Sequence, residues 1–165
     1  MIEIEEILRN VKKRLERKEP GAIATGVGVF VQIWDGEKLL LKKRLPKEGG
    51  IGVGRVELPG GAVDIADFGS EYDSAPVNAS AREVLEETGL IIPKKSVLLR
   101  PAWAIYQAGD QIDLAFVYLA DFKKAKETQR YKDLLEKGDL IWVSKEKIAS
   151  MEFVSKRMKF LATRD

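Results

Sequence analysis

Between Leu58 and Leu90 a glycine-led loop, Leu58-Pro59-Gly60-Gly61, runs towards an acidic segment, Arg82-Glu83-Val84-Leu85-Glu86-Glu87-Thr88-Gly89-Leu90. This stretch constrains the chain more than any other. Ser74 is placed to cap a helix, Pro76 suits its first turn, and Gly89 suits its end. Glu83, Glu86 and Glu87 then stand at i, i+3 and i+4 and are predicted to project from one helix face. Three carboxylates on one face repel one another unless cations compensate. Arg82 can reach Glu86 at i+4, which leaves an oxygen-only pair suited to Mg²⁺ beside a phosphate chain. The bland alternative is a solvated acidic face held by Arg–Glu pairs.

Composition narrows the chemistry further. The chain has no cysteine and no histidine, so disulfides, thiolate metal sites, thiol nucleophiles and imidazole catalysis are excluded. A metal site must be built mainly from oxygen donors, which favours Mg²⁺, Mn²⁺ or Ca²⁺ over zinc. The 28 basic and 26 acidic residues nearly balance, so electrostatic function must come from local clusters. The acidic Met1–Glu6 start and the lack of a long apolar run predict a soluble, cytoplasmic protein with no membrane partner. A length of 165 residues predicts one domain.

Around the acidic segment the chain reads as scaffold. Ile4, Ile7, Leu8, Val11 and Leu15 form the apolar stripe of a helix over about residues 4–18. This stripe packs on the domain or serves a partner or dimer. Ala24–Trp34 and Lys38–Arg44 read as strands joined at Asp35-Gly36 in a tight turn. Gly26 and Gly28 suggest close packing of the first strand rather than a dinucleotide loop. Arg44, at the end of the second strand, is solvated or holds a phosphate. The loop from Pro46 to Arg55 contains Gly49, Gly50, Gly52 and Gly54 and is read as flexible, with a mobile lid as hypothesis. Val56–Leu58 is a short strand. Val97–Gln107 and Ile112–Ala120 follow as strands, and Lys123–Lys137 is either a helix or a solvated excursion. Leu140–Val143 is a last strand, Ser144 caps a short helix, and Ser155–Thr163 is a terminal helix. The mixture predicts an α/β (α+β) fold.

The central stretch resembles the signature of the Nudix hydrolases, G-x5-E-x7-R-E-U-x-E-E-x-G-U with U aliphatic. Gly61, Arg82, Glu83, Val84, Glu86, Glu87, Gly89 and Leu90 match it, and Leu58-Pro59-Gly60 is also usual in the family. One position departs. Counted from Gly61, the first Glu of the signature falls on Asp67; counted back from Arg82, it falls on Ser74. The loop therefore carries an insertion of 74 − 67 = 7 residues. Asp67, Glu71 and Asp73 are all candidates for the replaced carboxylate.

The resemblance implies an α/β/α sandwich around a mixed sheet. It also implies hydrolysis of a diphosphate bond in a nucleoside diphosphate linked to another group. Such substrates include nucleoside triphosphates, modified nucleotides, nucleotide sugars such as ADP-ribose, and capped RNA. By resemblance Glu83, Glu86, Glu87 and the carbonyl of Gly60 hold Mg²⁺ or Mn²⁺, and Arg82, Glu83, Glu86 and Glu87 form the catalytic set. Glu127 is the candidate for a carboxylate from a later loop, with Glu136 and Asp139 as rivals. Arg44 and Arg55 are the nucleotide-binding candidates. Trp103, Tyr106, Phe116 and Tyr118 are mostly core, with one available to stack on a base. The expected partner is a small-molecule nucleotide rather than nucleic acid, with a homodimer left open. The competing reading is a catalytically inactive Nudix-fold nucleotide-binding or regulatory module.

Overall fold

The computed structural model describes residues 4–17, 27–48, 52–69, 75–108 and 111–163. Helix α1 (Ile4–Arg17) leads into the hairpin of β1 (Val27–Asp35) and β2 (Lys38–Lys43). Two short strands, β3 (Val56–Glu57) and β4 (Gly60–Ala62), precede a 3-10 turn at Ile65–Asp67 and helix α2 (Ala75–Thr88). Then come β5 (Leu90–Ile91), the long hairpin of β6 (Leu98–Ala108) and β7 (Gln111–Asp121), and β8 (Lys126–Glu127). Helix α3 (Gln129–Glu136), β9 (Leu140–Ser144), α4 (Lys145–Ile148) and α5 (Lys156–Thr163) complete the chain.

The main sheet runs in the order β3-β2-β1-β7-β6, with β4 added beside β1 and β9 beside β2. It is mixed: β1 pairs parallel to β7 from Val27↔Leu114 to Trp34↔Asp121, whereas the other pairings are antiparallel. Strand alternation divides the core into two layers. Val27, Val29, Val31, Ile33 and Leu40 face one layer, shared with Leu8 and Val11 of α1, Ala79 and Val84 of α2, and Tyr131 of α3. Leu39, Leu41, Ala115 and Val117 face the other, closed by Ile148 of α4 and Met158 and Leu161 of α5. Gln32 is fully buried and donates from Nε2 to the carbonyl of Leu161 at 2.7 Å, tying the last helix to the central strand. The result is an α/β/α sandwich around a mixed sheet. Among the described residues no helix is long and apolar enough to cross a membrane.

Several local readings are sharpened. The hairpin forms, but Asp35 and Lys38 are its last paired residues, so the turn is Gly36-Glu37, one residue later than the dipeptide Asp35-Gly36 suggested. Gly36 takes the positive φ of 57° that the tight turn demands. A side chain at Gly28 would make only ordinary contacts, the nearest at 3.5 Å, so close packing does not explain that glycine. Gly26 lies outside the described residues. Lys123–Lys137 resolves into a 3-10 turn, β8 and α3, whose N-cap Thr128 accepts from the Tyr131 N–H. Ser144 stands at the N-cap of α4 without a side-chain cap bond. Phe116 and Tyr118 are core, whereas the side chains of Trp103 and Tyr106 lie outside the described residues.

Candidate active site

The site starts from the packing of α2 on β1 and β4. Val84 and Ala79 are fully buried against the sheet, which fixes the rotation of the helix. Glu83 and Glu87, one turn apart, then face β4, and Glu86 turns towards solvent. Side-chain exposures of 13%, 20% and 57% for Glu83, Glu87 and Glu86 show that the three share no single environment. The helix ends at Gly89, whose φ of 73° lets its N–H reach the Leu85 carbonyl at 3.0 Å. Arg130 of α3 donates to the Glu86 carbonyl in the same last turn.

The two glycines of β4 permit this approach in different ways. A Cβ at Gly60 would lie 2.1 Å from the Val29 carbonyl oxygen, and one at Gly61 would lie 2.5 Å from Glu83 Oε1. The Gly61 position is thus a cradle for the Glu83 carboxylate. The Gly60 N–H donates to Glu87 Oε2 at 2.8 Å. Loop and helix are joined directly through the glutamates.

Two cations organise the carboxylates. Arg82 donates through Nε and Nη2 to both oxygens of Asp67, at 2.9 and 2.8 Å, and through Nη2 to the Ala62 carbonyl. Its Nη1 reaches Glu83 at 2.7 Å and Glu86 at 3.2 Å. Asp67 is 4% exposed and also accepts from the Asp64 N–H, closing the 3-10 turn. Of the three candidates for the displaced carboxylate, Asp67 is the one seen to hold Arg82; Glu71 and Asp73 lie outside the described residues. The second cation is Lys42, a residue sequence reasoning missed. Its Nζ lies 2.6 Å from Glu87, 2.7 Å from Glu48 and 3.1 Å from Glu57. The signal was available: a lysine following Leu39-Leu40-Leu41 in a strand shares the face of Leu40, and that face meets α2. Lys42 is also the cross-strand partner of Glu57, which places their side chains on one face.

Burial and charge compete here. Burial pushes the Glu87 carboxyl up to about 7, and Lys42 and the Gly60 N–H only partly offset it. Burial alone would lower the Lys42 ammonium, but Glu87, Glu48 and Glu57 outweigh it and hold the group above its ordinary value. Burial would likewise raise Glu48, yet hydrogen bonds from Lys42 and the Leu45 N–H hold it below the usual range. Arg82 is held charged chiefly by its hydrogen bond to Asp67.

A cleft of about 720 Å³ opens over these groups, lined by Gly28, Phe30, Lys42, Arg44, Gly60, Gly61 and Glu87 and by Arg157 and Met158 of α5. Arg44 also lines it, 3.6 Å from Glu57. Arg55 does not line it; its carbonyl accepts from the Arg44 N–H across the loop base. Gly49, Gly50 and Ile51, the middle of the supposed lid, lie outside the described residues. Glu127 pairs with Leu90 in the small β5–β8 ribbon and is exposed rather than part of the cleft wall. Glu136 and Asp139 do not line the cleft either.

A NUDIX domain model matches residues 24–163. The chain belongs to the Nudix family. Solved structures carry the same fold. The E. coli ORF135 protein is 19% identical, with 88% of this chain and 91% of that chain covered and a TM-score of 0.59. The MutT protein from Methanosarcina mazei Go1 is 21% identical over 86% and 92% of the two chains, with a TM-score of 0.55. A MutT NUDIX hydrolase from Burkholderia pseudomallei is 21% identical over 84% and 95%, with a TM-score of 0.52. At these identities the likeness speaks to the Nudix fold alone. The comparison with curated proteins returned no match. Nudix hydrolases as a family act on nucleoside diphosphates linked to other groups, generally with divalent metals. The Nudix carboxylates here fit such an ion by chemistry, being hard oxygen donors beside the Gly61 cradle. Among the described residues no group of three acidic side chains is arranged by itself to hold a metal ion, and the three carboxylates that do gather, Glu48, Glu57 and Glu87, gather around Lys42. Lys42 and Arg82 bring positive charge to these carboxylates.

Proposed function

We propose that this chain is a divalent-metal-dependent nucleotide pyrophosphohydrolase that cleaves a diphosphate bond by attack of water on phosphorus. The observation that carries the reading is that Glu87, Gly60 and Gly61 line one cleft with Arg44 and Lys42, with Glu83 set directly against Gly61. In this reading Glu83, Glu86 and Glu87, with the carbonyl of Gly60, would hold Mg²⁺ or Mn²⁺. When bound, the ion would neutralise phosphate charge and acidify the attacking water. The chain's own residues do the positioning. Asp67 fixes the Arg82 guanidinium, and Arg82 fixes Glu83 and Glu86. The Gly60 N–H aims Glu87 into the cleft. Arg44 is placed to meet an anionic phosphate oxygen. The substrate class is a small nucleotide, either a nucleoside triphosphate, a modified nucleotide or a nucleotide sugar.

Phosphate and pyrophosphate release across a nucleotide panel with Mg²⁺ or Mn²⁺ tests this directly. E86Q and E87Q should each cut turnover by at least about a hundredfold while circular dichroism shows both folded. Wild-type-like turnover in both variants would remove the site assignment. No turnover on any nucleotide, despite nucleotide binding, would favour an inactive Nudix-fold module.

A further inference from the structure

The cleft contains a charge arrangement that the signature residues do not account for. Lys42 is a cation with only 8% of its side chain exposed, yet it faces three carboxylates, Glu48, Glu57 and Glu87. It touches Glu87 on Oε1, while the Gly60 N–H occupies Oε2. Both oxygens of the deepest-set glutamate of the pair Glu86 and Glu87 are therefore engaged by protein donors. No such cation is needed to hold α2 in place, because Val84 and Ala79 already anchor it. An aliphatic strand residue would fill the space without bringing a charge into a half-buried site.

We infer that Lys42 is a tethered counter-ion that competes with the divalent metal for Glu87 and so sets the metal affinity of the site. The inference rests on the reading of Glu87 as a metal ligand. The geometry supplies both halves of an exchange. Glu87 must give up Lys42 Nζ before its Oε1 can bind an ion. Glu48 and Glu57, at 2.7 and 3.1 Å from the same Nζ, remain to hold the ammonium when it leaves Glu87. Neither Glu48 nor Glu57 lies on the signature helix, so this acceptor pair is separate from the metal donors. The displaced lysine stays inside the cleft, where Arg44 also stands. The arrangement makes Lys42 a positioning residue: it keeps the empty carboxylate neutralised and oriented, and it repels an entering dication.

The repulsion is large enough to measure. A unit charge about 4 Å from a dication changes its affinity by more than about tenfold even at the dielectric of water. The test is Mn²⁺ titration of metal-free protein without nucleotide, with the free ion followed by electron paramagnetic resonance. K42M should bind Mn²⁺ roughly tenfold more tightly than wild type, and K42R, which keeps the charge, should bind like wild type. K42Q, which keeps length and polarity without the charge, carries the same comparison if K42M does not fold. Unchanged or weaker binding in the neutral variants would overturn the inference while leaving the metal reading intact. An equal gain in K42R would trace the effect to disturbed packing and also overturn it. Absence of Mn²⁺ binding in every protein would overturn both the inference and the metal reading beneath it.

Discussion

At the scale of single residues, the fold has altered the protonation of two carboxylates of the cleft, Glu87 and Glu48. Glu87 is pushed up from 4.5 to about 7 by burial. The folded chain therefore keeps a proton that the unfolded chain releases above 4.5. The stability linked to this proton is fully present below 4.5 and lost as pH rises through 7. Chemical denaturation of metal-free protein at a series of pH values should show stability falling across that window, by on the order of 2–3 kcal/mol. E87Q should flatten the fall. Lys42 acts above its ordinary range and Glu48 below its own, so neither confuses the window. The sequence disclosed Glu83, Glu86 and Glu87, because helical spacing and a signature both point at them. It did not disclose how differently they are housed, since that depends on which side of α2 meets β4. Lys42 and Glu57 passed unnoticed because a charged residue at a strand end ordinarily means solvent. Here tertiary contact closes over it.

At the scale of elements, the junction of β4 with α2 decides whether the glutamates are aimed. Its two glycines should respond differently to alanine. A Cβ at Gly60 meets the backbone of β1, 2.1 Å from the Val29 oxygen, and only a shift of strand against strand relieves it. Gly60→Ala should lose about 2–4 kcal/mol of stability, read by denaturant unfolding. A Cβ at Gly61 meets the end of the Glu83 side chain, which can swing away. Gly61→Ala should unfold within about 1 kcal/mol of wild type yet lose most of its turnover. Similar stability losses in both would show that the two contacts are not distinct. Turn and cap chemistry at this scale was readable in part: Gly89 ends its helix as its position promised, the hairpin erred by a single residue, Ser144 makes no side-chain cap bond, and Ser74 lies outside the described residues. The contribution of α5 to the cleft, through Arg157 and Met158, was not readable, because nothing local in Ser155–Thr163 records which sheet face the helix will cover.

At the scale of the whole molecule, α1 lies outside the region the family model matches, yet it belongs to the same core. Leu8 and Val11 are buried with Val63 and Ala79, and the helix touches the Ile65–Asp67 turn whose last residue holds Arg82. Leu8→Ala should cost about 2–4 kcal/mol in denaturant unfolding and lower turnover by less than tenfold, because the brace is loosened and the donors remain. A neutral effect on stability would detach α1 from the core. The amphipathic stripe foretold that α1 would bury one face; only the assembled layers show that the face meets the support of Arg82. The layered architecture itself was legible through the signature, since hairpins mixed with isolated helices are compatible with many sheets. The parallel pairing of β1 with β7 has a kinetic side. Val27 and Leu114 stand 114 − 27 = 87 positions apart in the chain. Closing so long a loop costs entropy before any contact rewards it, and such topologies fold slowly. The whole signature, from Gly61 to Leu90, lies inside that loop. The partners that give the glutamates their bearings, Lys42, Gly60 and the Asp67–Arg82 pair, all lie inside that loop too, so the site can be set by contacts of shorter span before the two distant strands meet.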